Sequence, residues 1–163
     1  MSGSVGTDQA HTYEEWLIAV KKDGSLFADV PRELITLEMC LAAVNAWGEA
    51  LNYVPLEYQT VEVCLAAVTY KGSAIYYTPG NLLTFEVCLA AVKQWSQAIY
   101  QVPEELRNEE MYIASVSHKM NRLKWVPPSR RTLKVCLEAV SCYPASIHYS
   151  PYSILEMICE ETK

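Results

Sequence analysis

At 163 residues, with 51% apolar and 20% charged side chains, the chain is long enough for one domain and is globular rather than disordered. A formal charge of −6 argues against a nucleic-acid binder, which would normally be basic, and no apolar run reaches the ~20 residues of a membrane span. Residues 1–110 hold 15 acidic and 6 basic residues, net −9, against 4 and 7, net +3, in 111–163, so a cationic partner suits the first two-thirds.

Residues 1–11 read as a flexible segment. The stretch "MSGSVGTDQAHTYEE" has no basic region ahead of an apolar core, so no signal peptide is expected, and Ser2 stands where myristoylation needs glycine. A cytoplasmic chain with reduced thiols is the resulting expectation. From Thr12 onward a register of 24 residues governs the sequence. Prolines recur at Pro31, Pro55, Pro79, Pro103, Pro127 and Pro151. Threonines recur at Thr12, Thr36, Thr60, Thr84 and Thr132, with Asn108 in the gap. Acids recur at Glu14, Glu38, Glu62, Glu86 and Glu110, with Lys134 breaking the series. A further column reads Trp16, Cys40, Cys64, Cys88, Tyr112, Cys136. Self-similarity of this kind marks a repeat array. Units start at 12, 36, 60, 84, 108 and 132, and a partial cap follows from 156.

Within a unit the spacing predicts two short helices. Thr36 is a good N-cap, Glu38 suits the positive end of the helix dipole, and Leu37, Cys40, Leu41 and Val44 share a face. Gly48, in column with Gly24 and Gly72, is expected to end that helix as its C-terminal cap. The stretch "EALNYV" forms a second helix burying Leu51 and Val54, partly 3₁₀ in character, and "PLEYQ" is a turn to the next cap. Helices this short barely form alone, so stacked neighbours must stabilise them. The predicted fold is all-α: one solenoid over 12–163 built of about six two-helix repeats.

Cys40, Cys64, Cys88 and Cys136 fall at one place in successive units, on helices ~8–10 Å apart. That is too far for a disulfide, which needs Cα atoms within ~7 Å. No CxxC or CxxH is present to suggest zinc. The reading is a ladder of small buried thiols. Cys142, Cys159 and His148 lie outside the ladder at a spacing that matches no ligand pattern, and no metal or cofactor is expected. No phosphate loop, HExxH or GxSxG occurs, and the glutamate column follows from helix capping or forms an acidic binding stripe. A non-enzymatic protein is expected.

Recognition should use positions that vary between units. One set follows the LAAV phrase and includes Trp47, Tyr70 and Trp95; a second holds Asn52, Tyr76, Tyr100, Lys124 and His148. With Glu38, Glu62 and Glu86 these are the candidate partner-binding residues. Trp47 and Trp95 stand three residues past Val44 and Val92, so closing the core is their alternative role. Tyr76 and Tyr100 should point outward, next to the apolar Leu51/Ile75/Ile99 column. The fifth unit departs most, with Asn108, Tyr112, Met120 and Arg122 in place of the usual residues, followed by "PPSRR". Lys119, Arg122, Lys124, Arg130 and Arg131 there would be the surface of a nucleic-acid binder, the least favoured reading.

The phrase "VPLEYQTVEVCLAAV", repeated as "TPGNLLTFEVCLAAV" and "VPEELRNEEMYIASV", resembles a bacterial helical-repeat family catalogued as a domain of unknown function. The resemblance covers about 12–155 and implies an α-solenoid that binds protein, with no activity or cofactor. The unit length is similar to that of leucine-rich-repeat variant proteins. Small helical-repeat proteins of this type resemble, by analogy, immunity proteins encoded beside bacterial contact-dependent toxins. The expected function is thus a monomeric immunity protein covering a cationic toxin domain such as a nuclease, with no nucleic-acid or membrane partner. An adaptor or effector scaffold is the alternative.

Overall fold

The structure, a computed structural model, describes residues 11–117 and 122–151. The expected flexible segment (but for His11), His118, Lys119, Met120, Cys159 and the cap from 156 lie outside the described residues. Six α-helices are present among the described residues: α1 Tyr13–Lys22, α2 Leu37–Ala46, α3 Val61–Tyr70, α4 Phe85–Gln94, α5 Glu109–Val116 and α6 Leu133–Cys142. There are no strands among those residues. Each α-helix starts where the register places it. The hydroxyls of Thr36, Thr60, Thr84 and Thr132 accept from the backbone N–H three residues on, at 3.3–3.4 Å, and Asn108 Oδ1 does the same at 3.0 Å. In α1 the pair Thr12 and Glu15 goes further and closes a reciprocal capping box.

Each α-helix leads into a 3₁₀ helix: Gly24–Asp29, Gly48–Tyr53, Gly72–Tyr77, Ser96–Tyr100, Leu123–Trp125 and Pro144–Tyr149. Among the described residues the second helix of each unit is therefore 3₁₀. The "PLEYQ" turn also tightens into a 3₁₀ turn, Leu56–Tyr58, with counterparts in the neighbouring units. The α-helices pack on one another in chain order and form one layer, and the longer 3₁₀ helices form a second.

Two details differ from the sequence reading. The buried face of α2 is Met39, Cys40, Ala43 and Val44, whereas Leu37 is 39% exposed and Leu41 half-buried. Gly48 is not a left-handed C-cap. No described glycine has positive φ, the C-cap is the extended Trp47, and Gly48 opens the 3₁₀ helix. Its value is close approach. A Cβ on Gly24, Gly48 or Gly72 would lie 2.6 Å from the carbonyl oxygen of Ala43, Ala67 or Ala91 in the next unit.

The core between the layers repeats with the units. Cys40, Cys64, Cys88 and Cys136 are fully buried and unbridged, beside Ala43, Ala67, Ala91 and Ala139. Burial pushes the Cys40 and Cys88 thiols up to about 11, and raises those of Cys64 and Cys136, so all four stay protonated and unreactive near neutral pH. A second column closes the 3₁₀ helices. Gln59 Nε2 donates to the Val54 carbonyl at 2.9 Å, Arg107 Nε to Val102 at 2.8 Å, and Arg131 Nε to Val126 at 2.9 Å. Arg131 also reaches the Tyr149 carbonyl at 2.8 Å. Its fork is thus committed to holding backbone carbonyls.

Among the described residues the apolar core falls into two clusters, with Ile99 packed against both. One apolar cluster runs from Val20 to Met111 and Ala114, and a second begins at Tyr112 and includes Leu123, Val126 and Cys136. The seam falls on α5, where Tyr112 stands in the cysteine column.

Candidate partner-binding surface

The two-layer build sorts the candidate residues onto two sides. On the α-layer, Glu38, Glu62 and Glu86 are exposed in the first helical turns, and Tyr70 is exposed at the end of α3. Glu62 and Tyr70 flank a shallow depression with Asn45, Leu65 and Thr69. Glu38 is occupied locally: Lys21 Nζ lies 3.5 Å away and the Tyr13 hydroxyl donates to it at 3.2 Å. Exposed pairs of this sort contribute ~0–1 kcal/mol, so they orient the carboxylate more than they stabilise the stack.

On the 3₁₀ layer, Asn52, Tyr76, Tyr100, Lys124 and His148 are all exposed. Tyr76 is 57% and Tyr100 53% accessible, because the 3₁₀ helix turns Ile75 inward and leaves the next residue outside. Trp47 and Trp95 are half-buried against the core, so they close it while keeping one edge in reach of neighbouring rings. Trp95 meets Tyr76 with centroids 5.7 Å apart, and Trp47 meets Tyr53 at 6.0 Å. Lys124 Nζ sits 4.8 Å over the ring of Trp125, a cation–π contact that presents the charge above an apolar plate. Trp95 and Tyr76 are thus brought together, while the glutamate column and Tyr70 belong to the other face.

A neighbouring column was missed. Tyr53, Tyr77, Trp125 and Tyr149 are all exposed, Trp125 at 60%, and the four positions follow the 24-residue register with Gln101 in the gap. Extending the register by one place from Asn52/Tyr76 would have found them. Together the two columns place aromatic rings on the 3₁₀ helices of the second to sixth units, while Ala28 and Asp29 hold these places in the first. Glu49 and Glu57 are on or beside this layer and each holds a cation, Lys71 Nζ at 2.8 Å and Arg32 at 3.3 Å. Glu57 is held below the usual carboxylate range by its own backbone N–H and then by Arg32. Asp23 is lowered by Ser25, and Glu15 by the Thr12 backbone N–H. All three are exposed and serve helix ends or ion pairs.

Among the described residues, no three His, Cys, Asp or Glu side chains gather as a metal would require. No described helix is long and apolar enough to cross a membrane. Residues 60–119 match the model of a family described as a domain of unknown function, DUF4116. The matched stretch takes in α3, α4 and α5. No curated protein and no solved structure matches the chain.

Proposed function

We propose that the chain is a non-enzymatic, protein-binding repeat protein, and that its 3₁₀ face is the contact surface. The observation that carries this reading is the pair of exposed ring columns, Tyr53/Tyr77/Trp125/Tyr149 and Tyr76/Tyr100. Tyrosine and tryptophan bring large, rigid contact area at little entropic cost, and they dominate the energetics of protein interfaces. The acidic balance of residues 1–110 selects a cationic partner and speeds its approach. Within that class, the reading we favour is a bacterial immunity protein that covers a cationic toxin domain such as a nuclease. An adaptor scaffold for other cellular proteins is the second reading.

Co-expression with the C-terminal domain encoded by the neighbouring gene tests the proposal. The immunity reading expects a stable complex, rescue of growth, and an association rate that falls as salt rises. Absence of both complex and rescue removes it. Replacing Tyr76 and Tyr100 by Ala should weaken the complex at least tenfold with only a small fall in melting temperature, since both rings are exposed and the packing lost is the Tyr76–Trp95 contact.

A further inference from the structure

The seam between the fourth and fifth units holds a cavity of about 70 Å³, whose lining includes Tyr100, Arg107, Tyr112, Ser115, Arg122 and Trp125. Its origin lies in the sequence. In the earlier units a glycine without a Cβ lies against the carbonyl of an alanine 19 positions on, at a distance no Cβ would tolerate. In the fourth unit that glycine is Ser96 and the alanine is Ser115, both lining the cavity. A Cβ at residue 96 excludes the close approach, so the layers part and the floor is left to Tyr112 and Ser115.

Among the described residues the lining carries two guanidinium groups and neither Asp nor Glu. Arg107 brings positive charge to this cavity in a chain of net charge −6. Arg107 is fixed in place. Its Nε donates to the Val102 carbonyl at 2.8 Å and one terminal nitrogen reaches the Tyr100 carbonyl at 3.5 Å. Among the described residues no acceptor takes its other terminal nitrogen. Ser115 is buried, and its hydroxyl donates to the Tyr112 carbonyl at 2.7 Å, which leaves the oxygen as an acceptor. The rims, Tyr100 and Trp125, are exposed rings.

We propose that this cavity binds a carboxylate carried on a short apolar stem. A planar guanidinium matches a carboxylate in shape and charge, and fixing it beforehand lowers the cost of binding. The volume sets the size: a dry cavity of ~150 Å³ takes benzene, so about half of that admits a carboxylate and one or two carbons, with the remainder lying on Tyr100 and Trp125. The carboxylate can come from a free metabolite or from an acidic side chain of a protein partner. The site does not depend on the immunity reading.

Titration of the whole chain with phenylacetate, followed by the Trp125 indole N–H resonance (assigned with Trp125→Phe), tests this. Saturable shifts are expected with phenylacetate and none with the isosteric phenylacetamide. Arg107→Gln is the informative variant. At the matching position of another unit Gln59 already caps the same kind of carbonyl, so the substitution keeps the cap and removes the charge. It should raise the Kd for phenylacetate at least tenfold with unchanged melting. A blocked peptide bearing one Glu beside a Phe distinguishes the sources: tighter binding of the peptide assigns a partner's side chain, and tighter binding of phenylacetate a small molecule. Equal binding of acid and amide, or no shift with any of the three, overturns the proposal.

Discussion

Replacing Gly48 with Ala puts the stacking geometry to its most direct test. The new Cβ would lie 2.6 Å from Ala67 O, 3.0 Å from Lys71 Cβ and 3.3 Å from Lys71 N. Ordinary contact begins near 3.4 Å, so the units must separate by about 0.8 Å at a backbone oxygen that already accepts from Lys71 N at 2.9 Å. Neither group is a flexible side-chain end, and overpacking of this kind costs about 1–3 kcal/mol. Against this, losing the freedom of a glycine in the unfolded chain returns about 0.4–1 kcal/mol, because the native φ is one that alanine accepts. The net expectation is a loss of about 1–2 kcal/mol. Gly80 is the control: nothing lies within 4 Å of its added Cβ, so Gly80→Ala should be neutral or stabilising by up to ~1 kcal/mol. Urea unfolding followed by far-ultraviolet circular dichroism reads both. If the two variants unfold at the same midpoint, the glycine column is not a close-approach device and the origin assigned to the cavity fails with it.

Thr60→Ala removes the bond to Val63 N and should cost about 1 kcal/mol in the same assay. Alkylation at pH 8, read by peptide mass spectrometry, should modify partly exposed Cys142 while sparing Cys40, Cys64, Cys88 and Cys136 in the folded chain. The raised thiols also set a pH dependence. The folded state keeps its protons up to about 11 at Cys40 and Cys88, whereas an unfolded thiol loses its own near 9.0. Their contribution is therefore intact below about pH 9 and is lost as pH rises toward 11. Cys88→Ala should make the fall in urea midpoint between pH 8.5 and 10.5 shallower; an unchanged slope would show that the thiol does not titrate with unfolding.

Much of the fold was legible because a repeat states each constraint several times. One threonine before an apolar run is a weak sign of a helix start; the same threonine five times in register, with Asn108 in the gap, identifies the caps. The buried cysteines were legible for the same reason. The glycine column was located and its role misassigned. In sequence, a glycine after a helix reads as a left-handed cap, and only the neighbouring unit's carbonyl reveals that space, not φ, selects it. Leu37, the first residue of α2, is 39% exposed, and the buried face of that helix begins at Met39.

The surface was harder to read, since variation alone marks any position that packing leaves free. The sequence ranked Glu38, Glu62 and Glu86 with Tyr76 and Tyr100, yet the α-layer and the 3₁₀ layer keep these groups on separate sides, so a partner docking on the rings does not meet that acid column. The structure also redistributes the basic cluster after residue 111. Arg131 is spent on the Val126 and Tyr149 carbonyls, which leaves less free cation for a phosphate backbone than the composition of "PPSRR" suggests. The fifth unit is also a structural irregularity with a consequence. Serines at 96 and 115 and a tyrosine at 112 replace the small residues that let the earlier units close, and among the described residues the seam they form holds a cavity between two apolar clusters.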